Sequence, residues 1–106
     1  MDPEAFANAI LEDDGKYDVI IIDAAPSVRS RCGGPALSRL KRGGAIILDD
    51  APYYPEVTSH LQAAGLIRVD MTGFAALESE LQTTSFFFTR EYDPQTYQAD
   101  PTERRC

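Results

Sequence analysis

Apolar residues in this chain fall into short unbroken runs, separated by proline, glycine and charge. Tyr17-Asp18-Val19-Ile20-Ile21-Ile22-Asp23 and Ala45-Ile46-Ile47-Leu48-Asp49-Asp50 are aliphatic blocks that end in acid. An unbroken apolar run suits a strand of a parallel sheet covered on both faces, whereas a half-exposed strand alternates. Residues 66–71 do alternate, with Ile67, Val69 and Met71 on one face and Arg68 and Asp70 on the other. Residues 83–90, centred on Phe86-Phe87-Phe88, read as a last strand, antiparallel to its predecessor.

Helical spacing fills the gaps between these strands. Asp2-Pro3-Glu4 is a helix start, with a side-chain cap, proline in the first turn and an acid at the positive dipole end. Phe6, Ala9, Ile10 and Leu11 form its apolar face, and it stops before Gly15. Pro26 cannot continue a central strand, so residues 28–33 are expected to form a flexible basic loop with Arg29 and Arg31. A second helix restarts at Gly34-Pro35, turns Leu37 and Leu40 inward, and closes at Lys41-Arg42-Gly43. A third carries Val57, Leu61 and Ala64 on one face and ends at Gly65. Residues 72–82 read as irregular or briefly helical. Residues 91–106 are polar with two prolines and read as a flexible tail beyond a single α/β domain over 1–90.

Charge narrows the function. A net charge of -7 argues against a surface built to grip nucleic-acid phosphates or anionic lipid. No apolar run is long enough to span a bilayer and no secretory core opens the chain. Cys32 and Cys106 lack metal-ligand spacing, so free thiols in a reducing cytoplasm are expected. His60 is the lone histidine and reads as a surface residue of the third helix rather than a base. The two aliphatic strands place Asp23, Asp49 and Asp50 just beyond their carboxyl ends, where open α/β sheets bind ligands.

The acid-ended strand at 17–23, the Leu40-Lys41-Arg42-Gly43-Gly44 turn and the following strand resemble the second half of class I S-adenosylmethionine-dependent methyltransferases. The resemblance covers residues 2–90. It implies a partial Rossmann-like sheet with strands equivalent to the family's 4-5-7-6, the last antiparallel, flanked by helices. It also implies S-adenosylmethionine as cofactor and methyl transfer to a small-molecule hydroxyl. A cation-dependent subset holds Mg²⁺ at positions matched by Asp23, Asp49 and Asp50, with Asp23 in the catalytic position and Tyr53 and Tyr54 beside the substrate. Oxygen-ligated Mg²⁺ lowers the pKa of an acceptor hydroxyl, which is the chemistry such a set would serve. The lysine common after the first acid is replaced here by Ala24-Ala25-Pro26.

The family's glycine-rich cofactor loop has no counterpart, because Gly33-Gly34 follows the wrong strand and lacks the G-x-G-x-x-G spacing. The chain alone is therefore expected to be inactive. With the family's first strand absent, strand 17–23 should be an open apolar edge that recruits a second copy or a complementary N-terminal chain. Two other readings compete. Asp23-Ala24-Ala25-Pro26 is similar to the aspartate-x-x-proline switch of partitioning-type P-loop ATPases, although the phosphate-binding loop is missing. A half-domain with no cofactor site could also be a non-catalytic assembly piece. The acids then serve only as helix caps or bonds to loop amides.

Overall fold

The computed structural model describes residues 2–12, 14–74, 81–91 and 103–106. Its centre is the β1 (Tyr17–Ile22) and β2 (Leu40–Asp49) pair, parallel, with Ile20 opposite Ile46 and Ile22 opposite Leu48. β3 (Ile67–Phe74) and β4 (Leu81–Phe88) form an antiparallel pair, and β4 also runs antiparallel to β2. A three-residue β5 (Glu103–Arg105) lies parallel to the far side of β1. The sheet order is β3-β4-β2-β1-β5, so the expected 4-5-7-6 sequence is present as β1-β2-β4-β3.

Between the strands run α1 (Pro3–Ala7), continued by a 3₁₀ turn, then α2 (Pro26–Arg29), α3 (Gly33–Ser38) and α4 (Pro55–Ala63). The first starts as its sequence dictates, with the Asp2 carboxylate accepting from the Glu4 amide at 3.0 Å. Its buried residues are Ala7 and Ile10, whereas Phe6 is half exposed.

Burial divides the sheet by face. Ile20, Ile22, Ile46, Leu48 and Phe87 are fully buried, in one cluster with Val28, Cys32 and Ala36 of the α2–α3 segment and Val57 and Leu61 of α4. On the opposite face Val19, Ile21, Ile47, Phe86 and Phe88 are only partly buried. Ile67, Val69 and Met71 are exposed at 44%, 46% and 61%. The expectation of two covered faces is thus corrected: among the described residues, the helices build their core against one face. An aliphatic run carries no mark of which side receives a helix, since β-branched residues suit strands on either count.

Three other expectations change. Residues 28–33 are not a flexible loop, because Pro26 opens a helical turn whose Val28 is 1% exposed. β2 begins at Leu40, and Lys41-Arg42-Gly43-Gly44 form an irregularity within it rather than the end of a helix. Thr72 belongs to β3 and Gln82 to β4, not to an irregular segment; residues 75–80 lie outside the described residues.

The last correction concerns the tail and the cysteines. Residues 92–102 are outside the described residues, but Glu103–Arg105 pair with Val19–Ile21 and cover the edge expected to be open. Cys106 is joined to Cys32 by a disulfide across 74 positions of sequence, and no free cysteine exists. Both are buried, so the expectation of free thiols fails. No helix among the described residues is long and apolar enough to cross a membrane.

At the far side of the sheet, Asp70 accepts from the Ser85 hydroxyl at 2.6 Å and from Arg68 at 2.7 Å. The Ser85 bond first, then Arg68, hold its carboxyl below the usual range. A lowered folded pKa contributes stability that is present above the unfolded value and is lost as pH falls through the folded one. The expected result is that wild type and Asp70→Asn differ in urea midpoint at neutral pH and converge below about pH 4. A gap that stays constant from pH 7 to pH 2 would refute the role of the charge.

Candidate functional site at the carboxyl ends of β1 and β2

Because β1 and β2 are parallel neighbours, Asp23 leaves one strand beside the point where Asp49 and Asp50 leave the other. The sheet therefore does carry the three acids to one rim. What it does not do is aim them at one centre.

The middle of the rim is held by Arg29. Proline at the start of α2 and the buried Val28 fix that single turn and direct the following arginine back over the strand ends. Its Nε donates to the Ala24 carbonyl at 2.8 Å, and Nη2 to the Asp23 carbonyl at 3.1 Å. Nη1 donates to the Asp49 carbonyl at 3.2 Å and to Asp50 Oδ2 at 3.4 Å. The guanidinium also sits 5.1 Å from the centre of the Tyr54 ring, and its side chain is only 11% exposed. One planar cation with five donors thus ties the end of β1 to the end of β2.

The carboxylates turn to separate partners. Asp23 receives Arg105 Nη1 at 2.6 Å on the exposed side of β5. Asp49 accepts from the Thr84 hydroxyl at 3.1 Å, and Asp50 faces Arg29. Asp50 adopts a left-handed backbone, φ 56°, which turns the chain into the 3₁₀ segment Ala51–Tyr53. Among the described residues no group of three or more His, Cys, Asp or Glu could hold a metal ion. The expected Mg²⁺ set of Asp23, Asp49 and Asp50 is therefore not assembled, and Arg29 already supplies positive charge between the strand ends. These residues do not fit the metal.

Of the two tyrosines expected at the substrate, Tyr53 is 74% exposed on the rim, while Tyr54 is buried beneath Arg29. His60 is exposed on α4. A shallow concavity of about 420 Å³ lies on the open face between β3 and β4, lined by Met71, Gly73, Gln82, Thr84 and Phe86 among others. It meets the rim at Thr84, the partner of Asp49. The rim, not this concavity, is where polar groups converge.

Sequence reasoning missed Arg29 as an organising residue. The signal was present in Pro26-Ser27-Val28-Arg29, where proline and an apolar residue mark a helical turn. It missed Arg105 entirely, because Glu103-Arg104-Arg105 has no strand signature.

No family model matches the sequence, and no curated protein matches it either. A solved structure does: the crystal structure of M1.HpyAVI in complex with SAM superposes with a TM-score of 0.59 at 8% sequence identity. The match covers 98% of this chain and 63% of that one, so the chain spans less than two thirds of the protein it resembles. At this identity the likeness concerns architecture. β5 lies beside β1 on the edge away from β2. The chain has a partial class I methyltransferase-like fold, and its acid-and-arginine rim stands at the carboxyl edge of that sheet.

Proposed function

We propose that this chain is the C-terminal portion of an S-adenosylmethionine-dependent methyltransferase that methylates a hydroxyl of a small molecule, and that it does not turn over unaided. The observation carrying this reading is the sheet order with β4 reversed between β2 and β3, on which the rim residues are mounted. The cofactor supplies a methyl group on a positively charged sulfur. No glycine-rich loop in the sequence could cradle it, so its main holding contacts belong to polypeptide other than the described strands.

What these residues contribute is alignment. Methyl transfer needs the acceptor oxygen, methyl carbon and sulfur in line, a positioning task. Arg29 fixes the separation of the two strand ends. The Asp23 carboxylate, 39% exposed, can take the proton of an acceptor hydroxyl once Arg105 moves aside. The exposed Tyr53 ring offers a face against which a planar acceptor can stack.

Amide chemical shifts test the proposal. S-Adenosylmethionine in large excess is expected to move the signals of Asp23, Ala24, Asp50 and Tyr53, while ATP leaves them in place. Shifts with ATP alone favour the P-loop ATPase reading. Silence with both is the result expected of an assembly piece.

A further inference from the structure

We infer that the outer edge of β1 is a strand-accepting site which β5 covers only while the Cys32–Cys106 disulfide is intact, and that thiol reduction opens it to a second copy of this chain.

β5 is a poor match for the edge it covers. It is three residues long against six in β1, and it opposes Val19, Ile20 and Ile21 with Glu103, Arg104 and Arg105. Cross-strand stability comes from packing between facing side chains, and charged residues opposite branched aliphatics supply little of it. Arg104 is worse than neutral. Its Nε is buried with no hydrogen-bond partner among the described residues, and the guanidinium lies 6.0 Å from the centre of the Tyr17 ring. An unpartnered buried donor favours leaving.

Apart from its short parallel ladder with β1, what retains β5 is gathered at Cys106. Its carbonyl accepts from the amides of Asp23 and Ala24, at 3.0 and 3.2 Å, and its amide donates to the Ile21 carbonyl at 2.7 Å. Its sulfur is bonded to Cys32, which is 0% exposed between α2 and α3. Arg105 adds an exposed ion pair with Asp23, of the kind that contributes little. Reduction by a dithiol breaks the S–S bond, leaves two protein thiols, and oxidises the reductant to its own disulfide. The covalent hold on β5 is then gone.

The freed edge presents the peptide groups of Ile21 and Asp23, which point away from β2, as their bonds to Cys106 show. A second copy offers the same edge with the same Val19-Ile20-Ile21-Ile22 run. Two such edges related by a two-fold axis pair antiparallel, placing aliphatic residues opposite one another. The inference concerns association and stands whether or not the chain takes part in methyl transfer.

The test is the mass of the full chain by light scattering, with and without dithiothreitol, beside circular dichroism and a count of free thiols. The oxidised chain is expected to be monomeric. Reduction is expected to double the mass with the sheet signal retained, reversibly on reoxidation, and Cys106→Ser to be dimeric under both conditions. Ile21→Pro in the Cys106→Ser chain removes an edge donor while leaving the β1–β2 ladder, so it should restore the monomer. Met71→Asp, on the open face, should leave the dimer intact. A reduced chain that is folded and monomeric, or that unfolds, overturns the inference. So does an oxidised dimer, or a dimer abolished by Met71→Asp but not by Ile21→Pro.

Discussion

Replacing Arg29 with alanine is expected to lower the unfolding free energy by about 3 kcal/mol in urea titration. The side chain donates to three carbonyls and one carboxylate, at 2.8 to 3.4 Å, and is 11% exposed. Hydrogen bonds from a charged donor contribute roughly 1.5–3 kcal/mol each when singly removed. The four do not add, because at the rim water can reach the abandoned acceptors, Asp50 being 27% exposed. The left-handed backbone of Asp50 loses its partner too, and such conformations persist only where their surroundings hold them. Lysine should recover less than half of the loss, since a point ammonium cannot reach four acceptors spread around a plane. A loss below about 1 kcal/mol for alanine, or full recovery by lysine, would show that Arg29 merely rests on the rim.

Arg29 also explains where the sequence stopped being informative. Val19-Ile20-Ile21-Ile22 and Ile46-Ile47-Leu48 read as neighbouring parallel strands, each followed by acid. That placed Asp23, Asp49 and Asp50 on one rim, where the structure has them. Whether three acids share an ion or take separate partners depends on cations far away in sequence. Arg105 reaches Asp23 across 82 positions and Arg29 reaches Asp50 across 21. No local pattern announces such pairs. The same holds for β5, whose Glu-Arg-Arg sequence reads as tail until the Cys32–Cys106 bond fixes it against β1. The Gly43-Gly44 pair behaved differently. It pointed to the family fold from sequence alone, and the structure supplies the reason.

Gly44→Ala is expected to cost about 3 kcal/mol, more than alanine at Gly33, Gly43 or Gly73. An added Cβ would stand 2.7 Å from the Asp18 carbonyl oxygen, 2.8 Å from Leu40 Cδ1 and 3.0 Å from the Lys41 carbonyl oxygen. Leu40 can rotate, but Asp18 O and Lys41 O are backbone, so β1 or β2 itself must move. This is the stretch where the two strands change register, between Tyr17 opposite Leu40 and Val19 opposite Ala45. Ile20, Ile22, Ile46 and Leu48 lie directly beyond it, so any shift is felt in the core. Gly43 has a different requirement. Its φ is +85°, and a Cβ there would have room, with Glu91 O at 3.5 Å. Gly43→Ala should therefore cost only about 1 kcal/mol, the ordinary charge for a side chain in that conformation. Gly73 in β3 has nothing within 4 Å and no positive φ, so its alanine variant should be neutral or slightly stabilising. Urea midpoints of the three variants measure the order directly. If Gly44→Ala proved as mild as Gly73→Ala, the close approach of β1 and β2 at the turn would be wrong, and with it the register that brings Asp23 level with Asp49.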